Sequence, residues 1–162
     1  GLALKITDNK IVIFDEEKYE KNDIVMTVTK GSDLIKSYNF KSSTREIYSA
    51  CHVKYQNSDT KNNIEYTFAL NNKQGKTLMI NQEVKTVDEA ETLAKKKLRE
   101  KNKEELTASF SLVGTFLLVA GVTINIVGFG KFDGKYIVSK ASHEVGGGYS
   151  VNIDLRRCLD GY

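Results

Sequence analysis

The sequence predicts a mainly β protein: a small antiparallel β-barrel with one inserted amphipathic helix, preceded by an N-terminal β-meander lobe. Short apolar runs rich in β-branched residues alternate with polar turns along most of the chain. One segment, near 86–105, has helical spacing instead, and the last strands are separated by glycine turns. We therefore expect a strand lobe, 1–43, and a β-barrel domain, 44–162, that contains the helix.

The N-terminal lobe is predicted from four short runs, LKIT, IVIF, IVMTVT and LIKSYNF. Turn residues at Asp8-Asn9-Lys10 and at Lys30-Gly31-Ser32-Asp33 punctuate them, and a charged connector, DEEKYEKND, follows the second run. These runs fit four strands that meander antiparallel. The polar stretch SSTR marks the boundary, after which IYSACHVKYQ and IEYTFAL are predicted to form a hairpin across the connector NSDTKNN.

The one helix is predicted to begin at a capping box, because the hydroxyl of Thr86 and the carboxylate of Glu89 can satisfy free backbone amides. A narrow apolar stripe follows at helical spacing, formed by Ala90, Leu93, Ala94 and Leu98. The helix also carries a possible basic surface for phosphates or another acidic surface, formed by Lys95, Lys96 and Arg99. Acidic residues on the same helix favour intrahelical pairing and solvation instead.

The C-terminal third predicts consecutive antiparallel strands. The charge-free stretch Leu112–Gly130 contains four glycines and the polar residues Thr123 and Asn125, which favour strand, turn and strand over a membrane span. Asp133-Gly134 and the triplet 146–148 supply tight turns. In the last strand, apolar and polar residues alternate. One face is expected to be buried, and the other carries Asn152, Asp154 and Arg156.

We predict no catalytic, metal or cofactor site. Cys51 and His52 are neighbours on a strand and face opposite ways, so they cannot form a nucleophile and base pair. The same holds for His143 and Glu144, and neither histidine has metal-ligand spacing. The carboxylates at 15–17 share one connector, which does not place them across a cleft. The run GFGKFDGK lies between strands, without a helix N-terminus to bind phosphate.

The composition is that of an ordinary globular domain, with 40% hydrophobic and 28% charged residues. A formal net charge of +3 is too small an excess to predict nucleic-acid binding by itself. Cys51 and Cys158 show no zinc pattern. Reduced thiols are the usual state for such residues, a disulfide stays possible if their strands are neighbours, and no secretory signal is recognisable at the N-terminus.

Four segments in sequence resemble the C-terminal half of the phage late control protein D family, which includes the hub proteins of PBSX-type prophages. They are ITDNKIVIFDEEKYE, HVKYQNSDTKNNIEYTF, VDEAETLAKKKLREKNKEEL and LLVAGVTINIVGFGKFDGKYIVSKASHEVGGGYSVNIDLRR. The helix segment and the last segment are the most specific. Full-length members of that family are twice as long, so the resemblance implies that an N-terminal half with its own barrel is absent from this chain.

The resemblance implies a non-enzymatic role in the hub of a contractile-tail baseplate. The full-length protein would form a homotrimer that joins the tail tube protein to the spike protein, beside other baseplate proteins. It would sit in the tail baseplate of a virion, prophage particle or tailocin assembled in the bacterial cytoplasm. Contact with DNA would be passing, and no membrane or cofactor is implied. On this interpretation Asn152, Asp154 and Arg156 are candidates for subunit contact.

Two other functions stay open. The first alternative to the baseplate hub is the base of a contractile secretion-system spike, which shares the fold. A cell-wall-binding module of a tail-associated lysin would need an exposed aromatic platform, and the sequence has no tryptophan.

Overall fold

The computed structural model describes residues 2–7, 10–56, 63–71 and 73–162. The predicted turn at Asp8-Asn9 and residues 57–62 of the predicted NSDTKNN connector lie outside these described residues. The elements in chain order are β1 (Leu2–Thr7), β2 (Lys10–Asp15), α1 (Glu16–Glu20), β3 (Ile24–Thr29), β4 (Ile35–Ser42), β5 (Tyr48–Gln56), β6 (Asn63–Ala69), β7 (Lys76–Asn81), α2 (Val87–Asn102), β8 (Leu106–Val113), β9 (Thr123–Val127), a 3-10 helix (Gly130–Phe132), β10 (Gly134–Val145) and β11 (Tyr149–Arg157). The mainly β prediction is confirmed.

The chain folds as two units. The sheet unit comprises residues up to Ser42 and Glu104–Cys158, and the helix unit comprises Ser43–Lys103 and Leu159–Tyr162. The division expected from sequence, 1–43 and 44–162, differs from these two units. The border expected after residue 43 lies close to the observed one after Ser42, but β3 and β4 join the sheet of the last four strands. Such pairing depends on strands that lie far apart in sequence, which local turn signals do not report.

The sheet unit is built on a six-stranded sheet in the order β3-β9-β10-β11-β8-β4. The predicted antiparallel pairs β9–β10 and β10–β11 are confirmed. β3 instead runs parallel to β9, so the sheet is mixed and the all-antiparallel prediction is wrong at this edge. The predicted four-strand meander is also wrong, because only β1 and β2 pair with each other, as a separate hairpin.

The length of one connection explains why this sheet curls into a half-barrel. β3 and β4 occupy opposite edges, yet only residues 30–34 join them. Six flat strands would put the edges about 24 Å apart, whereas a fully extended link of this length reaches about 20 Å. The link is also turned, since Ser32 N donates to Thr29 O at 3.1 Å. The two edges must therefore approach each other.

Aromatic side chains fill the side on which the half-barrel is open. Phe40 on β4 lies 5.1 Å from Phe129 and 4.6 Å from Phe132 between ring centroids, and Tyr38 lies 5.0 Å from Phe129. Phe129 and Phe132 lie between β9 and β10. Ring packing thus links β4 to the opposite side of the sheet without backbone pairing. The core beneath is formed by Val28, Ala108, Phe110, Leu112, Leu118, Ile124, Ile126, Tyr136, Val138, Val151, Ile153 and Leu155.

The helix unit packs α2 on a three-stranded sheet in the order β6-β5-β7. The predicted hairpin of β5 and β6 is confirmed, and β7 adds to β5 in parallel. The predicted cap is present, with the reciprocal bond one residue earlier than in a standard capping box: Thr86 Oγ1 accepts from Glu89 N at 3.1 Å, and Glu89 Oε2 accepts from Lys85 N at 2.7 Å. The apolar stripe is buried against Cys51 and Val53, through Ala90, Ala94 and Leu98.

Asn102 ends α2 and fastens two other segments of the helix unit to it. It is fully buried; its Oδ1 accepts from Tyr48 N at 3.0 Å, and its Nδ2 donates to Tyr48 O at 2.8 Å and to Tyr162 Oη at 2.7 Å. Replacing Asn102 with alanine would remove the hydrogen bonds that its side chain makes to the backbone N–H and C=O of Tyr48. We therefore expect a loss of about 3 kcal/mol in the free energy of unfolding. Urea unfolding followed by circular dichroism measures it, with the exposed Lys96→Ala as the near-neutral control.

Candidate interaction surface

The polar face of the sheet unit is the face of β11 and its neighbours that lies opposite the core. Along β11 the predicted alternation is confirmed for Val151, Ile153 and Leu155, which are buried, while Asn152 and Asp154 are exposed. The face extends sideways in register, because Asp154 pairs with Ser109 on β8, and Ser109 pairs with Asn39 on β4. The result is a sheet surface of short polar side chains.

A shallow groove of 260 Å³ lies on this polar face. Its volume is below that of ordinary small-molecule pockets, which start at about 300 Å³. Its lining offers hydrogen-bond donors and acceptors of both charge signs, from Asn39, Lys41, Glu104, Thr107, Ser109, Ser139, Asp154 and Arg156. Such a surface suits polar contacts with another protein better than enclosure of a substrate.

The guanidinium of Arg156 is not available to a neighbouring subunit, contrary to expectation. Arg156 is 5% exposed, because its Nη2 lies 3.3 Å from Glu16 Oε2 and its Nη1 bonds to Glu20 Oε1. Both carboxylates belong to α1, which covers this end of the polar face. Arg156 does alternate with the apolar residues as predicted. What sequence reasoning missed is the helix that covers it.

The segment DEEKYEKND is not a solvated connector, as expected from its charges, but forms α1. Asp15 caps it by accepting from Glu17 N at 3.1 Å, and Glu17 makes an exposed pair with Lys21 at 2.7 Å. Glu20 is buried and Glu16 is largely so. The helix spans five residues, which is too short for a periodic apolar signal. The capping aspartate was the only local signal for it.

Asn152 and Asp154 keep exposed side chains. Asn152 Nδ2 donates to Glu144 Oε1 at 3.0 Å across β10 and β11, and the backbone oxygen of Asp154 accepts from Ser139 Oγ at 2.9 Å. Their assignment to subunit contact stays a prediction.

The predicted basic surface on α2 is broken up in the structure. Arg99 is buried, which corrects its placement on the surface, because α2 turns it toward the core beside Leu98. Lys95 lies 2.8 Å from Glu91 Oε1 and 5.4 Å from the ring centre of Phe68. Its hydrogen bond and charge lower the pKa of Glu91. Lys96 is exposed. Intrahelical pairing, the alternative interpretation, describes Lys95 better.

The residues considered for catalysis have structural partners. Burial raises the pKa of the Cys51 thiol, which disfavours a nucleophilic thiolate, and Cys51 and Cys158 are not joined by a disulfide. His52 Nδ1 lies 2.7 Å from Thr67 Oγ1. His143 Nε2 lies 2.9 Å from Leu118 O, so Nε2 donates, and Nδ1 lies 2.8 Å from the Tyr149 hydroxyl. Among the described residues, no three histidine, cysteine or acidic side chains cluster to hold a metal.

Burial also raises the pKa of Tyr136, against a smaller lowering by Arg157. Its protonated hydroxyl donates to Phe132 O at 2.9 Å and holds the 3-10 helix to the core.

In the part of the chain that the structure describes, no helix combines the length and apolar character needed to cross a bilayer.

A family model described as YQBQ-like matches residues 5–156. The chain belongs to the YQBQ-like family. A search of curated proteins found no match.

Solved structures share the fold of this YQBQ-like chain at low identity. The 43 kDa tail protein of prophage MuSo2 from Shewanella oneidensis is 15% identical with a TM-score of 0.76, over 97% of this chain and 51% of that one. A tail protein from Neisseria meningitidis is 14% identical with a TM-score of 0.72, over 99% of this chain and 51% of that one. A chain of a native gene transfer agent virion is 12% identical with a TM-score of 0.55, over 83% and 32%. The YQBQ-like chain thus spans about half the length of the first two.

Proposed function

We propose that the chain is a structural, non-enzymatic part of a phage-type contractile tail, located in the baseplate hub that joins the tail tube to the central spike. The observation that carries the proposal is the fold, which follows the prophage tail protein of Shewanella oneidensis over 97% of this chain with a TM-score of 0.76. Membership of the YQBQ-like family over residues 5–156 makes the same fold expected along nearly the whole sequence.

The surfaces of the sheet unit support a scaffold role. One face is a broad polar sheet with a shallow groove, and large apolar residues, including Phe116 and Val145, stay exposed at its rim. Assembly proteins need extended complementary surfaces of this kind, whereas an enzyme needs convergent reactive groups. Cys51, the one buried thiol considered as a nucleophile, is protonated and packed in the core of the helix unit.

The proposal includes the finer architecture implied by the resemblance to late control protein D. The half-barrel of the sheet unit is the counterpart of that family's small barrel, and the full-length protein forms a homotrimer. Its partners are the tail tube protein, the spike protein and other baseplate proteins, with DNA in passing contact. It is assembled in the bacterial cytoplasm and remains in the tail of the particle.

The proposal is tested with the full-length protein and its candidate partners. Light scattering is expected to give the mass of three chains, and pull-down is expected to retain both the tail tube and the spike protein. The double variant Asn152→Arg and Asp154→Arg tests the polar face, with Lys96→Ala as a control on an exposed site elsewhere. A full-length protein that stays monomeric and retains neither partner contradicts the proposal.

A further inference from the structure

One end of the sheet unit carries an apolar surface that no part of the described chain covers. We call it the end patch. It lies where β8 ends and β10 turns into β11, and its members are Phe116, Leu117, Val119, Val145 and Tyr149. Phe116 is 81% exposed and Val145 is 85% exposed, which is unusual for such side chains in a folded domain.

Backbone pairing brings the segments of the end patch together. Gly114 N donates to Tyr149 O at 2.8 Å, and Val145 pairs with Tyr149 across the β10–β11 hairpin. The loop that carries Phe116 and Leu117 is fixed at both ends. Gly114 lies against the ring of Tyr149, and Leu118 is buried with its carbonyl bonded to His143. The exposed side chains are therefore presented on a rigid support.

The chemistry of the end patch fits a protein partner. Several large apolar side chains exposed together at one end of a folded domain mark a site of protein interaction. The stretch 112–130, which supplies Phe116, Leu117 and Val119, contains no charged residue. A charged or highly polar occupant would lose its hydration there without an ionic partner in return.

The same chain carries a second uncovered apolar feature, the β1–β2 hairpin. Ile11 is 68% exposed and Ile13 is 65% exposed, and the run IVIF in β2 is free of charge. The hairpin forms its own two-stranded sheet and joins neither of the other sheets. A two-stranded hairpin of this kind is at best marginally stable until it packs on something else. Because both features stay exposed in one chain, neither covers the other.

We infer that the end patch of one copy binds the β1–β2 hairpin of a second copy. The two surfaces are different, both expose apolar side chains and both belong to the same unit, so the contact is heterologous and runs head to tail. A head-to-tail contact closes into a ring when its rotation permits, as the proposed homotrimer requires. The inference rests on that proposed self-association and names the surfaces responsible for it.

The test uses two complementary variants of the chain. The patch variant carries Phe116→Asp and Val145→Asp, and the hairpin variant carries Ile11→Asp and Ile13→Asp. Each removes one half of the contact and leaves the other half intact. Each is expected to weaken self-association about 100-fold, as hot-spot residues do. The matched control is Met79→Asp, an equally exposed apolar position at 65% in the helix unit, which should leave self-association unchanged.

Mixing the patch variant with the hairpin variant distinguishes a head-to-tail contact from a contact between two identical surfaces. The intact hairpin of the patch variant can bind the intact patch of the hairpin variant. Light scattering of the mixture is therefore expected to give a particle of two chains and nothing larger, while each variant alone stays monomeric. If either aspartate variant loses its circular dichroism spectrum, Phe116→Ser and Ile13→Ser repeat the test.

Three results would overturn the inference: a parent chain that does not self-associate, a hairpin variant that self-associates like the parent, or a mixture of folded variants that stays monomeric. These readouts concern contacts between copies alone. Binding to tail tube and spike proteins is measured separately, so a failed hub proposal and a failed hairpin contact give different results.

Discussion

Replacing Arg156 with methionine is expected to lower the free energy of unfolding by about 3–5 kcal/mol, the cost of leaving buried carboxylates without their cation. Glu20 is 5% exposed and Glu16 lies 3.3 Å from the guanidinium. Without Arg156, these two acids would be left close together at the surface of β11 with like charges. Because the sequence has no tryptophan, urea unfolding is best followed by far-ultraviolet circular dichroism.

Two companion variants separate the ion pair from other effects of the substitution. Arg45→Met makes the same chemical change at an exposed site and should shift stability by less than about 0.5 kcal/mol. The triple variant Arg156→Met, Glu20→Leu and Glu16→Gln removes every charge of the cluster, and most of the lost stability should return. An Arg156→Met protein as stable as the parent would mean that α1 does not hold its acids against β11.

Replacing Gly114 with alanine is expected to destabilise the protein by about 2–3 kcal/mol through overpacking. A Cβ atom there would lie 2.2 Å from Cγ of Tyr149 and 2.4 Å from the next ring carbon. These atoms are near the root of the side chain, so the whole ring must turn. Its hydroxyl would then lose the bond to His143 Nδ1, which is 2.8 Å long in the native fold.

The tyrosine itself supplies the control for this prediction. In a Tyr149→Ser background the space is free, and Gly114→Ala should cost less than about 0.5 kcal/mol, a clear departure from additivity. Gly75→Ala is the matched glycine control, since its Cβ would meet Ser49 at an ordinary 3.7 Å. Equal losses at Gly114 with and without Tyr149 would contradict the steric account. The variant should also weaken self-association, because Tyr149 belongs to the end patch.

Local signals in the sequence were sufficient for α2 and for the last strands. The capping box at Thr86 begins the helix as predicted, and the series Ala90, Ala94 and Leu98 defines its buried stripe. Extending that series by four residues reaches Asn102, and the drift of a 3.6-residue period brings in Arg99. The helical spacing could therefore have predicted that Asn102 and Arg99 are buried. It did not, because the charged residues beside Arg99 suggested a solvent-exposed face.

The strand order and α1 were not predictable in the same way. β3 and β4 have the composition of neighbouring strands, but their partners β9 and β8 lie 64 or more residues later in the chain. Arg156 lies on the strand face that was predicted, but it is buried there and not exposed. The carboxylates that pair with it belong to Glu16 and Glu20, on a helix near the other end of the chain. Alternation tells which residues share a face, and it does not tell what covers that face.

The exposed apolar residues belong to a charge-free stretch of sequence. Composition alone does not distinguish such a stretch from a buried core strand. The stretch Leu112–Gly130 is charge-free, and its second half, β9, is indeed buried. Its first half turns outward at Gly114 and presents Phe116 and Leu117 to solvent. Only the tertiary fold distinguishes the two halves.

The most direct test of a structural role in the tail is the composition of the particles themselves. Particles induced from a bacterium that encodes the protein, purified on a density gradient and analysed by quantitative mass spectrometry, should contain three copies of the full-length protein per tail. A strain lacking the gene should release no complete tails. Purified, fully assembled tails without the protein, or normal tails from the deletion strain, would contradict the account.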